Sequence, residues 1–245
     1  MLSFINDKIY ATSVAYIVER PDQLPRELAS HLPEKNNRSF LWVAGRYVQA
    51  GQTNKNGHYW TLDDIAAGEA SIRHTPLNVL HRWQEPVGTF VETKIVNRLA
   101  SASDDEVVLP EIQALSVVWA ANFPKVAEAV RQAHANKQLW YSMECVAEQK
   151  QCLTCNEVFP FRASAHEVCG HLAASSSAPR RFINPTFLGG ALIFPPDRPA
   201  WPDADITEIA KNLTEQYANR KTPQPTMSVD TWTRLMQEAM NGART

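Results

Sequence analysis

At 245 residues, 44% of them hydrophobic and 20% charged, the chain is long enough to bury a sizeable core and is not composed like a disordered segment. Its formal net charge of −2 excludes a global basic field that would hold nucleic acid through its phosphates, so any such role would have to be local. No apolar run reaches the roughly 18 to 20 residues that span a bilayer, and residues 1–7 lack a basic segment followed by an apolar one; the expectation is a soluble, cytosolic protein.

In chain order, two stretches rich in β-branched and aromatic residues, Lys8 to Glu19 and Ser39 to Gln49, predict strands. Arg20 to Asn37 between them carries prolines and charges and predicts a loop with one helical turn. Gly51 to Gly57 is turn chemistry, because Asn and Gly tolerate left-handed backbone. Thr61-Leu-Asp-Asp64 then fits a helix start, with a capping hydroxyl and acids in the first turn, and the helix runs to about Arg73. Val87 to Val96 alternates as a strand does, and apolar residues at helical spacing predict a helix over Pro110 to His134, broken at Pro124.

Leu139 to Val146 returns to strand character, Ser175 to Arg181 reads as a loop, and Gly189 to Phe194 as a short apolar strand. The body ends near Pro202, so residues 1–202 form one domain. Residues 203–245 form a helical tail, with amphipathic helices over 203–218 and 228–241 joined by a proline-bearing linker. The order of elements predicts an α+β fold or a β-barrel with helices.

All four cysteines fall between positions 145 and 169, and clustered thiols in a reducing compartment point to metal rather than disulfides. Cys152-Leu-Thr-Cys155, thirteen residues, then Cys169-Gly-His171 offers three thiolates and an imidazole on two tight turns, the usual way of holding tetrahedral Zn²⁺. The set is closed, so the zinc would be structural, in a knuckle inserted at about residues 150–173. His166 is the alternative to His171 as fourth ligand, and ordinary buried thiols are the alternative to metal. Cys145 lies outside the spacing and reads as a core residue. The tryptophans at 42, 60, 83, 119 and 140 lie on apolar stripes and read as core packing rather than a binding face.

Two further residues invite chemistry. His81 closes Pro76-Leu-Asn-Val-Leu-His81 ahead of a strand, and Ser142 sits inside the apolar strand Leu139-Trp-Tyr-Ser-Met-Glu-Cys145. Each has a bland reading, as a loop histidine and as a small polar edge residue. A serine needs a nearby base to become nucleophilic, and His81 is the candidate.

With Asn54-Lys-Asn-Gly-His-Tyr-Trp60, Pro76 to His81 with Pro86-Val-Gly88, and the expected helix Ala114 to His134 feeding Ser142-Met-Glu144 in this order, roughly residues 39 to 195 resemble the prohead proteases of tailed bacteriophages. These enzymes are similar in fold to the herpesvirus assemblins. The resemblance implies an assemblin-like β-barrel surrounded by helices and a serine endopeptidase that cleaves scaffold and major capsid proteins, and itself, inside assembling procapsids in the host cytoplasm. Self-association is implied as an option, and no membrane partner. It further implies His81 and Ser142 as catalytic pair, and a third residue about two dozen positions after the serine. His166 lies there, inside the cysteine cluster, with His171 competing if it is not a ligand. Glu144 is set aside as too close to Ser142 on the same strand. Arg180 and Arg181 resemble the arginine pair that assemblins place at the oxyanion, against which stands a reading as two solvated loop arginines. After them, Asn184 to Phe194 looks like the strand that closes the family's barrel.

Two other functions compete. A non-catalytic head-assembly or scaffold-docking protein would keep the fold without the activity. A nucleic-acid-binding zinc knuckle is disfavoured by charge, since Lys150 and Arg162 are matched by Glu157 and Glu167 within Gln149 to His171.

Overall fold

The computed structural model describes residues 9–33, 37–82, 84–101 and 106–194; the expected tail helices and Trp83 lie outside them. The strands are β1 (Ile9–Ile17), β2 (Leu41–Gln49), β3 (His58–Tyr59), β4 (Pro76–Val79), β5 (Gly88–Ser101), β6 (Glu106–Val118), β7 (Trp140–Cys152), β8 (Val158–Pro160) and β9 (Arg180–Ile193). The helices are α1 (Arg26–Ala29), α2 (Leu62–Gly68), α3 (Pro124–Ala135) and α4 (Gly170–Ala174), with 3-10 turns at Pro21–Gln23 and Glu69–Ile72. The class is α+β.

One mixed sheet of nine strands runs β3-β9-β4-β5-β6-β2-β1-β7-β8, and β7 carries a further antiparallel ladder to β9. β9 is parallel to both β3 and β4; the remaining pairs are antiparallel. The long β7–β9 ladder runs from Trp140↔Ile193 to Cys152↔Arg180, so one strand pair extends from the Ser142 region to the cysteine cluster.

The main core gathers Tyr47, Trp60, Phe90, Ile112, Tyr141, Phe187 and Leu192 with their apolar neighbours. Burying a large apolar side chain contributes about 1.5–3 kcal/mol. Trp60 is fully buried, whereas Trp42, Trp119 and Trp140 are only partly covered. A second cluster of Tyr16, Val18, Leu24, Leu28, Ala44 and Leu115 holds the segment carrying α1 against β2 and β6. No helix among the described residues is long and apolar enough to cross a membrane.

The helix expected over Pro110 to His134 is corrected. Glu106–Val118 is strand β6, and only the part beginning at Pro124 is helical. Consecutive residues Ala114, Leu115, Ser116, Val117 and Val118 are all buried, so both faces of β6 are covered and the two-residue alternation that marks a half-exposed strand is lost. In α3, Val126, Ala127, Ala129, Val130 and Ala133 are buried, the stripe of a helix packed along one side. Pro124 supplies a first-turn residue whose missing N–H costs nothing there.

α2 starts as its sequence implies. Thr61 Oγ1 accepts from the Asp64 amide at 3.2 Å, and Asp64 Oδ2 accepts from the Thr61 amide at 2.8 Å, a reciprocal cap.

Candidate active site and metal centre

β4 brings Asn78 and, one turn later, His81 against the β7–β9 pair. Leu80 and His81 both adopt left-handed backbone, with φ of 51° and 58°. Such a conformation costs a non-glycine residue of order 1–3 kcal/mol and concentrates at functional sites. Hydrogen bonds from the Leu80 amide to Leu192 O (3.1 Å) and from the Arg82 amide to Val79 O (3.0 Å) hold the turn.

His81 Nε2 lies 2.7 Å from Ser142 Oγ, and His81 Nδ1 lies 2.9 Å from Glu144 Oε1. Asn78 Nδ2 donates to the same Glu144 oxygen at 3.2 Å. An ionised carboxylate only accepts, so with Glu144 ionised and the ring neutral Nδ1 carries the ring proton, Nε2 is the acceptor and the Ser142 hydroxyl the donor. Ser142 and Glu144 are 1% and 2% exposed, while the His81 side chain is 26% exposed. The buried ends of the array are thus bridged by a ring that reaches solvent beside Arg82, Gln84 and Glu85, which with it line a depression of about 280 Å³.

The carboxylate at the outer ring nitrogen is therefore Glu144, which sequence reasoning set aside. Residues two apart on a strand point to the same face and stand nearly 7 Å apart, a gap that one imidazole laid along the strand spans. The signal was present in Ser142-Met-Glu144. His166 is exposed in the turn between β8 and α4, and it is Glu144 rather than His166 that meets His81.

The arginine expectation is also corrected. Arg180 donates to the Ala178 carbonyl at 2.9 Å and to the Ser175 and Ser176 carbonyls at 3.0 and 2.7 Å, clamping the loop before β9. Arg181 grips Asp64 with two hydrogen bonds, Nε to Oδ2 at 2.7 Å and Nη2 to Oδ1 at 3.0 Å. In register these arginines face Cys152 and Gln151, whereas Ser142 faces Ala191. Ten strand residues separate the two regions, about 30 Å at ~3.3 Å per residue, so neither guanidinium serves an oxyanion at Ser142.

Asp64 is 2% exposed, and its hydrogen bonds raise the Arg181 pKa above its ordinary value. Arg181→Ala leaves that carboxylate without its cation and should lower stability by about 2–3 kcal/mol, measured as a lower urea midpoint. Reactivity of the Ser142 hydroxyl should stay as in the wild type.

Cys145 is a core residue, as expected; burial pushes its thiol well above the ordinary range, which makes it a poor rival nucleophile.

The second cluster closes the far end of β7. Ligand atoms of Cys152, Cys155, Cys169 and His171 lie within 4.8 Å of one another, a set that could hold a metal ion. Cys152 ends β7, and the Asn156 amide donates back to Cys152 O at 2.8 Å. β8 then folds back onto β7, and Cys169 and His171 stand at the start of α4. Burial raises the Cys152 pKa, but the Cys155 and Thr154 amides and the Cys155 and Cys169 thiols outweigh it and bring the value down to about 6. Its neighbour Cys155 is pushed up to about 11; the amide of Glu157 lowers it, and burial with the adjacent thiols raises it more. One thiolate is therefore favoured even before the full cluster ionises, as a metal-binding set requires.

Compared with protein-family models, curated proteins and solved structures, the chain matches none of them.

Proposed function

We propose that this protein is a serine endopeptidase in which Ser142 is the nucleophile, His81 the general base and acid, and Glu144 the orienting carboxylate. The single observation that carries this reading is the imidazole bridging Ser142 Oγ and Glu144 Oε1 at 2.7 and 2.9 Å. A serine hydroxyl bonded to a histidine that is itself oriented by a buried acid is the arrangement that makes serine nucleophilic at neutral pH.

In the reaction Ser142 Oγ bonds to the scissile carbonyl carbon as its proton passes to His81 Nε2. Glu144 holds the Nδ1 proton and stabilises the imidazolium so formed. Collapse of the tetrahedral intermediate breaks the C–N bond, and His81 returns the proton to the leaving amine. Water, deprotonated by the same nitrogen, then hydrolyses the acyl-serine.

The resemblance to phage prohead proteases supplies the substrate class: scaffold and major capsid polypeptides, and the chain itself, cut within the procapsid. The β7–β9 ladder, which links strands standing apart in the sheet order, supports the assemblin-like barrel. Three sulfurs and one imidazole whose ligand atoms lie within 4.8 Å of one another fit zinc, held by Cys152, Cys155, Cys169 and His171. Bound there, zinc would cross-link the insertion, and the distance from Ser142 makes its role structural.

The test exposes the purified chain to a fluorophosphonate probe and, separately, to a candidate scaffold protein, and reads both by intact-mass spectrometry. A single phosphonyl adduct on Ser142 and discrete scaffold fragments are expected. Folded protein that gives neither, with the genuine scaffold partner, would overturn the reading in favour of a docking role.

A further inference from the structure

We propose that Asn78 is a positioning residue of this site, acting through Glu144 to hold His81 in the tautomer and orientation that accept the Ser142 proton. The inference rests on the peptidase reading for its consequence, though not for its geometry.

Asn78 and Glu144 lie on strands that are not neighbours. β9 runs between β4 and β7, and strands on either side of a third are about 9.6 Å apart, a span usually filled by the middle strand's side chains. Here the registers place Ala191 between Asn78 and Ser142, since it pairs with both, and place Gly189 opposite Glu144. On this face the middle strand therefore presents a methyl group and a hydrogen. The resulting trough lets the Asn78 amide reach across β9 to Glu144 Oε1 at 3.2 Å. Gly189 cannot readily be anything larger: its φ is +141°, and an added Cβ would come within 2.6 Å of Pro76 O.

The amide is also retained at a cost. Asn78 is 1% exposed, and its Oδ1 meets no hydrogen-bond partner among the described residues. A buried unpaired acceptor is unfavourable, so packing alone would favour an apolar residue at the end of this strand. What the amide provides is an N–H donor to the one carboxylate oxygen that also accepts from His81 Nδ1. With two donors fixed on Oε1, the carboxylate cannot rotate away from the ring, and Nε2 stays an acceptor facing Ser142.

The test is a double-mutant cycle. Wild type, Asn78→Ala, Glu144→Gln and the double variant are reacted with a fluorophosphonate. Ser142 Oγ forms the O–P bond, fluoride leaves and His81 takes the proton. Nitrogen-15 shifts of the His81 ring report its tautomer independently of reactivity.

Asn78→Ala should slow labelling roughly ten- to hundred-fold, the scale of a misplaced catalytic group, and should turn a single His81 tautomer into a mixture. In the Glu144→Gln background it should have almost no further effect. Equal losses in both backgrounds, or an unchanged tautomer, would overturn the proposal. If Asn78→Ala does not fold, the Asn78 side-chain amide resonances decide, since they must move on Glu144→Gln and their constancy would refute the link. Absence of Ser142 labelling in the wild type would sink the peptidase reading instead, leaving the tautomer comparison to judge Asn78 separately.

Discussion

Glu144→Gln should reduce Ser142-dependent cleavage and phosphonylation by about 10³–10⁴-fold, approaching the loss on Ser142→Ala, because an orienting acid works by fixing a tautomer as well as by its charge. A glutamine amide at this position can donate to Nδ1, which would place the ring proton on Nε2 and turn the base away from the serine hydroxyl. The carboxylate is buried and held by His81 and Asn78, so the neutral isostere should fold with little loss of stability. Thermal midpoint and near-ultraviolet circular dichroism check the fold, and cleavage of the scaffold polypeptide checks the rate. Activity within a few-fold of wild type would remove Glu144 from the mechanism and return the third position to a residue outside this strand.

Removal of the proposed zinc should have its large effect at the other end of β7. Within residues 153–179, Leu172 alone is buried, so this excursion has almost no core of its own, and a metal held by Cys152, Cys155, Cys169 and His171 would supply the cross-link that the core does not. Structural zinc supplies folding free energy directly, on the order of 10 kcal/mol in small isolated modules. The purified protein should contain about one zinc per chain, and Cys152→Ser should lose it. Hydrogen exchange and proteolytic nicking over residues 153–179 should then rise sharply, while β1 to β6 stay protected. The β7–β9 ladder connects this end to Ser142, so reactivity at the serine should fall as well, but by less. Full metal loss with unchanged protection of this segment would show that the thiols are ordinary buried groups.

The Cys152, Cys155, Cys169 and His171 cluster was legible in the sequence because the pattern is local: CxxC and CxH on tight turns bring their own side chains together, and the fold has only to join two turns. The capping of α2 and the strands β1, β2 and β5 were legible for a similar reason, since each is written in a few adjacent residues. The β6 segment was not, because burial on both faces erases alternation and leaves an apolar run that also suits a helix.

At the candidate site, Ser142 and His81 stand 61 residues apart, so the sequence could name the histidine as a candidate base, and the resemblance pair it with the serine, but neither could supply the contact. Residue type and order alone determined that a serine, a histidine and an acid were available. Tertiary structure decided which acid, because Glu144 becomes a partner only once a left-handed turn lays the His81 ring along β7. It also decided the fate of Arg180 and Arg181, whose distance from Ser142 is set by the β7–β9 register. Asn78 depended on it most: its reach to Glu144 exists only because β9 passes between the two with Gly189 and Ala191 at the crossing. A strand's neighbours, and the size of the side chains between them, are properties of the assembled sheet rather than of any one segment.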